Sequence, residues 1–249
     1  MIAFRAIFVT SLRQLFTRKR IIGFGLITLL PAVLVALIPA SSADSPEELF
    51  LGIAVETLLK LVVPIIAIVL ASGVLGDERT DKTLSFLTLR PISRFTIAGA
   101  KITATAAAAS SFAAFGAILL GITYAVRGGV GGPTVGLIVS GVLSATLYTS
   151  LVTPLGYLTR RATILALSYL ILMENVIISA VPAMASSSPW RVGLAGGGAL
   201  LPSNFRRSAV LDTIGTLELN LPGAVIQVVG TGAVLTIILG LLLSRRDNV

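Results

Sequence analysis

The chain has 249 residues, of which 55% are hydrophobic and 12% charged, whereas a soluble domain has roughly 45–50% apolar and about 25% charged residues. This small number of charged residues cannot cover the surface of a water-soluble protein of this length. The composition therefore indicates a membrane protein. The absence of Cys and His excludes disulfides, thiol catalysis, histidine acid–base chemistry and metal sites built from these residues.

Six windows are apolar and long enough to cross a bilayer, which takes about 20 residues at about 1.5 Å per residue. They lie near residues 21–38, 52–75, 103–126, 134–157, 164–181 and 222–243. The stretch 192–201 is too short to cross and contains three consecutive glycines, so we expect a loop there. The predicted fold class is therefore an all-α integral membrane protein with six transmembrane helices.

Basic residues are concentrated in alternate connections between these windows, and such connections stay in the cytoplasm. One side holds fourteen of them: Arg5, Arg13, Arg18, Lys19, Arg20, Arg79, Lys82, Arg90, Arg94, Lys101, Arg160, Arg161, Arg245 and Arg246. The other side holds Arg127, Arg191, Arg206 and Arg207. Both termini are therefore predicted to be cytoplasmic, in the plasma membrane, and the net charge of +8 serves topology and anionic lipid rather than nucleic acid.

Residues 1–20 are predicted to form an amphipathic helix in the headgroup plane, ahead of a transmembrane domain at 21–249. The apolar side carries Phe4, Phe8, Leu12 and Leu15, and the opposite side carries Thr10, Arg13, Gln14 and Thr17. The alternative is a plain basic anchor for the first span.

The connection 76–101 is predicted to hold a short helix. Thr80 is suited to cap its start, Pro91 ends it, and Ser93 is suited to cap the next helix, which runs through Lys101 into the third span. The short helix carries Leu84, Phe86, Leu87 and Leu89 among charges, more apolar surface than a solvated loop requires. We expect it to dock into another body, the alternative being a helix resting on lipid.

The order Glu78, Thr83, Leu84, Pro91, Ile92, Ser93, Arg94, Lys101 resembles the second-to-third cytoplasmic connection of ATP-binding-cassette (ABC) transporter permeases of the type-two export class. Lys82 stands where that family usually has Gly. The layout is also similar: an amphipathic N-terminal helix, six spans, cytoplasmic ends and a long external connection at 182–221.

The resemblance implies a coupling helix near residues 80–90 that sits in a groove of a separate ATP-binding subunit. Its implied contact residues are Glu78, Thr83, Leu84, Phe86, Leu87, Arg90, Pro91 and Arg94. It also implies a second permease chain, as a homodimer or heterodimer. Because the sequence has no Gly-x-x-x-x-Gly-Lys-Ser/Thr loop, ATP and Mg are expected on the partner, with no cofactor and no catalysis on this chain.

Three ionisable residues lie within the spans, namely Glu56, Lys60 and Glu174. Such residues are costly in a membrane and are functional candidates. Glu56 and Lys60 are spaced to pair on one helix face, while Lys60 and Glu174, at about 12 Å and about 10 Å depth, lie at depths that would allow them to meet. They either line the export path or form a structural salt bridge or interface contact, with Asn175 as an added hydrogen-bonding group.

Small residues recur every fourth position at Gly136, Ser140 and Ser144, and again at Gly232, Thr236 and Gly240. Such stripes predict close helix packing within the chain, the alternative being a dimer seam. Pro64 and Pro154 are expected to kink spans two and four. Trp190, next to Arg191, is typical of a membrane-interface anchor.

The expected function is therefore the permease subunit of an ATP-driven exporter. An ion-coupled secondary transporter is the alternative, although the sequence has no internal repeat. An intramembrane enzyme is less favoured, because Lys60 is the only Lys within a span and no Gly-x-Ser-x-Gly motif is present.

The topology is testable because the chain has no cysteine of its own. A membrane-impermeant maleimide applied to intact cells should label the variant Asp44→Cys and leave Leu87→Cys unlabelled, since only the first faces outward in the predicted topology. Both should react after permeabilisation. Labelling of Leu87→Cys on intact cells would contradict the orientation.

Overall fold

The computed structural model describes residues 2–38, 46–80, 92–129, 132–159, 161–177, 180–202, 205, 214, 217–218 and 220–245, and the regular structure in these residues is helical. The α-helices are α1 (Ile2–Leu15), α2 (Arg18–Leu37), α3 (Pro46–Ile53), α4 (Val63–Thr80), α5 (Arg94–Val126), α6 (Thr134–Leu158), α7 (Ala162–Tyr169), α8 (Pro189–Gly198) and α9 (Leu221–Arg245). Two π-helical segments, π1 (Ala54–Val62) and π2 (Leu170–Ile177), and a 3₁₀-helix (Pro182–Ser187) complete the regular structure of the described residues.

Five helices in the described part of the chain are long and apolar enough to cross a membrane: Arg18–Leu37, Glu47–Gly76, Arg94–Val126, Thr134–Leu158 and Leu221–Ser244. They match predicted spans one to four and six, which confirms an all-α membrane protein. The region of the fifth predicted span holds α7 and π2, whose apolar helix Ala162–Glu174 is shorter. The number of six spans therefore stays a prediction.

Helix α6 is the centre of the bundle. It packs extensively against α8, α5 and α4, and also contacts α9. Its sequence supplies small or short-chain residues along most of its length, including Ser140, Ser144 and Gly156, all of which are buried. By contrast, α2 and α9 are the least buried of the five long helices and lie at the periphery.

The small-residue stripe on α6 faces a glycine stripe on α8. A Cβ at Gly193 would come within 2.9 Å of the Cβ of Ser144, and a Cβ at Gly197 would overlap Ser140 Oγ and the Gly136 carbonyl oxygen. The predicted intra-chain packing of this stripe is therefore confirmed, with the two backbones in contact.

The expectation of a loop at 192–201 was wrong, because residues 189–198 form α8 and almost all of α8 is buried. The glycines were interpreted as helix breakers. In an apolar environment the backbone must satisfy its own hydrogen bonds, which favours helix even for glycine-rich sequence. The missing side chains of Gly193, Gly196 and Gly197 then allow α8 to approach its neighbours closely.

The stripe on α9 also packs within the chain. A Cβ at Gly240 would overlap the Phe95 ring of α5, and a Cβ at Gly232 would lie 3.6 Å from Ser150 Oγ of α6. Thr236 extends the same face, with its methyl group 3.6 Å from a Cβ placed at Gly99. This stripe therefore joins α9 to α5 and α6, which confirms intra-chain packing.

The predicted N-terminal helix is present as α1, which packs on α5. It ends at Leu15 and the chain turns at Phe16 and Thr17, so the basic residues 18–20 begin α2. Ser11 and Leu15 are buried, whereas Phe4 is exposed and stacks on Phe8 with 6.3 Å between ring centroids. Helix α1 thus packs on the bundle through Ser11 and Leu15 and leaves the Phe4 end of its apolar side exposed.

Spans two and four respond differently to their internal prolines. Just before Pro64 the chain is π-helical, and the Val63 N–H donates to the Leu58 carbonyl five residues back. Proline cannot donate to the carbonyl four residues earlier and its ring crowds that carbonyl, so a widened turn relieves both problems. Pro154 lies inside α6, which remains α-helical from Thr134 to Leu158.

Arg127 at the end of α5 joins two helix ends. Its guanidinium donates to the carbonyl oxygens of Val35 and Ile38, the latter at 2.7 Å. These carbonyls end α2 and have no partner within that helix. A positive charge there also favours the helix dipole, so Arg127 fixes the separation of α2 and α5 at this end of the bundle.

Gly197→Ala tests the contact between α6 and α8. The added methyl group would overlap Ser140 and Gly136, and overpacking of this kind costs about 1–3 kcal/mol. We expect a lower melting temperature of the detergent-solubilised chain. Gly230→Ala is the matched control: no atom lies within 4 Å of its Cβ position, so stability should hold or rise slightly. Equal melting temperatures for both variants would contradict the packing described.

Candidate functional site

Two groups of charged residues lie towards opposite ends of the bundle. The first is at the end predicted to be cytoplasmic, where Glu78 in the last turn of α4 and Arg94 at the start of α5 are both described. The remaining predicted coupling residues lie outside the described part of the chain: Thr83, Leu84, Phe86, Leu87, Arg90 and Pro91.

The helices that flank this connection differ partly from the prediction. Thr80 is the last residue of α4, so its expected role as the cap that starts a new helix was wrong. Ser93 does precede α5, and its carbonyl accepts from the Ile97 N–H at 3.2 Å. Helix α5 then runs unbroken through Lys101 into the third span, as predicted.

Lys101 and Glu78 form a buried ion pair that joins the ends of α4 and α5. The Lys101 residue is 1% exposed and Glu78 is 9% exposed. Taking two charges out of water costs several kcal/mol per ion unless they are paired. The pair therefore fixes the two ends of the connection 79–100 to each other.

A cavity of about 690 Å³ lies beside this ion pair. One wall is helix α1, from Ile2 to Gln14, and the other includes Glu78, Ile92 and Lys101. Helix α1 thus lies across the base of α4 and α5 without sealing it.

The second group lies at the opposite end of the bundle. Lys60 and Glu56 form the predicted ion pair within π1, with side chains 29% and 64% exposed. The Lys60 ammonium also lies 4.9 Å from the centroid of the Trp190 ring, and the Arg191 guanidinium lies 5.0 Å from it. Both distances are typical of cation–π contacts.

Glu174 is held by neutral hydrogen-bond donors. It is 6% exposed and accepts from Tyr148 Oη of α6 at 2.9 Å and from Ser188 Oγ at 2.5 Å. The Trp190 side chain supplies a further hydrogen bond, and Arg191 a favourable charge interaction. We refer to Lys60, Tyr148, Glu174, Ser188 and Trp190 as the Glu174 cluster.

The structural salt bridge between Lys60 and Glu174, one of the alternatives expected for this pair, is not formed within the described part of the chain. Lys60 pairs with Glu56 and Glu174 with the hydroxyl donors, so the two charges share Trp190 as a common neighbour instead. Asn175 belongs to the same π2 segment as Glu174, and its side chain lies outside the described part. Spans two and five therefore approach each other through α8.

Four residues of these groups were not predicted as site residues, namely Lys101, Tyr148, Ser188 and Trp190. Trp190 is 2% exposed and is buried in the protein rather than placed at a membrane edge as an anchor. The sequence does contain a signal for Lys101, because it is the only charged residue in the segment 95–126. A lysine buried in such a segment needs a carboxylate partner. No sequence spacing indicates that Ser188 reaches Glu174.

The fold and these buried charges define a helical integral membrane protein with polar groups inside its bundle. Residues 16–185 match the family described as ABC-2 family transporter protein. The match covers more than half of the chain, which therefore belongs to the ABC-2 family of ABC transporter permeases. It extends from α2 through the connection 79–100 to the 3₁₀-helix, and thus includes Glu78, Lys60 and Glu174. The comparison with curated proteins found no match.

Lys101→Met tests the buried ion pair. Removing one partner leaves a buried charge uncompensated, and this costs about 3–5 kcal/mol. We expect a large fall in the free energy of unfolding, measured by denaturant titration in detergent, and recovery of most of it in the double variant Glu78→Leu/Lys101→Met.

Lys60→Met is the matched control, because the Glu56–Lys60 pair is partly exposed and such pairs contribute about 1 kcal/mol or less. Equal losses in the free energy of unfolding for Lys101→Met and Lys60→Met would contradict the larger cost expected for breaking the buried pair. So would a double variant no more stable than Lys101→Met alone.

Proposed function

We propose that this chain is the membrane-spanning permease subunit of an ATP-driven exporter and works with a separate ATP-binding subunit. The observation that carries the proposal is the buried Glu78–Lys101 ion pair at the base of the connection between spans two and three, within the region that matches the ABC-2 family. A force applied to that connection reaches two spans at once, because their ends are fixed to each other.

The proposed contact with the ATP-binding subunit is the segment near residues 80–90. Thr83, Leu84, Phe86, Leu87, Arg90 and Pro91 supply it, with Glu78 and Arg94 at its two ends. ATP and Mg belong to the partner in this proposal. Its closure on ATP binding would push the connection and shift spans two and three between two arrangements.

The proposed translocation path follows spans two and five. Glu56 and Lys60 in π1 and Glu174 and Asn175 in π2 are the residues proposed to line it, and each pair lies on a π-helical segment. π-helical turns are rare in proteins, and those that occur are often found at functional sites. A second permease chain, identical or similar, would complete the path.

The remaining parts of the proposal concern the membrane. Span five would be completed by the residues after π2, which gives six spans with both termini in the cytoplasm and a plasma-membrane location. The basic residues of the chain would contact anionic lipid headgroups. Nucleic acid is not among the proposed partners.

Affinity purification of the tagged chain from its native membranes tests this function. An ATP-binding polypeptide should copurify, and its ATP hydrolysis should differ between the free and the assembled state. A chain carrying a deletion of residues 81–91 should lose the partner. Purification of the intact chain without any ATP-binding polypeptide, with transport in vesicles driven by a proton gradient alone, would instead support an ion-coupled transporter.

A further inference from the structure

The Glu174 cluster joins four elements that are distant in sequence. Tyr148 belongs to α6, Glu174 to π2, and Lys60 to π1, while Ser188 and Trp190 stand at the start of α8. Glu174 and Lys60 each contact the N-terminal turn of α8, through Ser188 and Trp190 respectively, and Tyr148 contacts Glu174. A change in the position of that turn would therefore alter contacts with spans two, four and five at once.

The carboxylate of Glu174 lies at a helix N-terminus. Ser188 is the residue that precedes α8, and its hydroxyl donates to Glu174 and accepts no capping hydrogen bond from the first turn of α8. The Tyr148 hydroxyl of α6 donates to the same carboxylate. A negative charge at this end is favoured by the helix dipole, so the carboxylate stabilises the start of α8 both through Ser188 and through the dipole.

The contact of α8 with α6 combines close backbone packing with side-chain packing. Gly193 and Gly197 let the two backbones approach each other, and Val192 packs with Leu143 and Leu147 of α6. The polar N-terminal turn adds directional hydrogen bonds to this packing, and it therefore contributes to the position of α8 along α6.

Trp190 carries that position to span two. Its ring lies under the Lys60 ammonium at 4.9 Å, and the indole also bonds Glu174. A shift of the start of α8 would move the ring, and Lys60 would lose its cation–π partner. The two ionisable π segments are thereby connected through a single side chain.

We infer that Glu174 is a positioning residue that seats the N-terminal turn of α8 on spans four and five, and that Trp190 transmits this position to Lys60 in span two. We call this hydrogen-bonded position of the N-terminal turn of α8 the seat. When the hydrogen bonds that hold it are broken, π1 and π2 separate. The seat can be measured on this chain alone, whereas its part in transport rests on the function proposed above.

Trp190 is the only tryptophan of the chain, so its fluorescence reports on the seat directly. The purified full chain in lipid vesicles should show an emission maximum typical of a buried indole and weak quenching by acrylamide. Glu174→Gln removes the charge with little change of shape. It should shift the maximum to longer wavelength and increase the quenching constant, and Ser188→Ala and Tyr148→Phe should do the same to a smaller extent.

Glu218→Gln is the matched control, because Glu218 is exposed and loses the same charge away from the cluster. Its emission and quenching should equal those of the wild-type chain. Lys60→Met should shift Trp190 emission without raising quenching, since a positive charge is removed from beside the ring while α8 stays seated. If Glu174→Gln does not fold, Ser188→Ala and Tyr148→Phe decide the matter. Wild-type emission in the folded variants overturns the inference.

The part of the seat in transport is tested on the complex with the ATP-binding subunit. Nucleotide binding should raise Trp190 quenching in the wild-type complex and leave the already high quenching of Glu174→Gln unchanged. If the wild-type chain assembles with no ATP-binding subunit, the proposed function is contradicted, while the inferred position of α8 is not. An assembled complex whose Trp190 quenching ignores nucleotide overturns the role in transport.

Discussion

The architecture depends on the close approach of helix backbones along α6. In lipid no hydrophobic force brings apolar helices together, so packing density and hydrogen bonds must do so. Gly136, Ser140 and Ser144 on α6 meet the glycines of α8, and Gly156 further along meets the backbone of α4, with a Cβ there only 2.8 Å from the Ser72 carbonyl oxygen. Larger residues at these positions would force the neighbouring helices apart and displace everything placed upon them.

Two sets of charges are built on this centre, and they have different consequences. The Glu78–Lys101 pair closes the base of α4 and α5 with two opposite charges, an arrangement that resists separation of the two helices because each lone charge would be buried. Glu174 is surrounded by neutral donors and one more distant arginine. Each hydrogen bond of this kind contributes about 1.5–3 kcal/mol when one partner is charged. Because each contribution is small, the donors of Glu174 can be replaced one at a time. One end of the bundle is thus tied firmly and the other can be rearranged.

Much of the architecture follows from the sequence, because length and apolarity determine which segments cross a membrane. The long helices were predicted on that basis, the two small-residue stripes from the recurrence of small residues at every fourth position, and the start of α5 from the position of Ser93. Helix α8 was not, since three glycines indicate a loop unless a neighbour is known to supply a matching small-residue face. The hydrogen-bond donors of Glu174 were also not predicted, because helix depth gives height in the bundle but not the rotation of each helix. That rotation is changed by the π-helical segments, and only Pro64 gives a sequence signal for one of them.

The central claim is that this permease is moved from its predicted cytoplasmic side by a separate ATP-binding protein. The most direct measurement is photo-crosslinking in native membranes from a reactive amino acid at position 87, compared with one at Val135, an exposed residue at the far end of the bundle. The account predicts that position 87 captures an ATP-binding polypeptide in a nucleotide-dependent yield and that position 135 does not. Capture of lipid alone at position 87, or the same product from both positions, would contradict it.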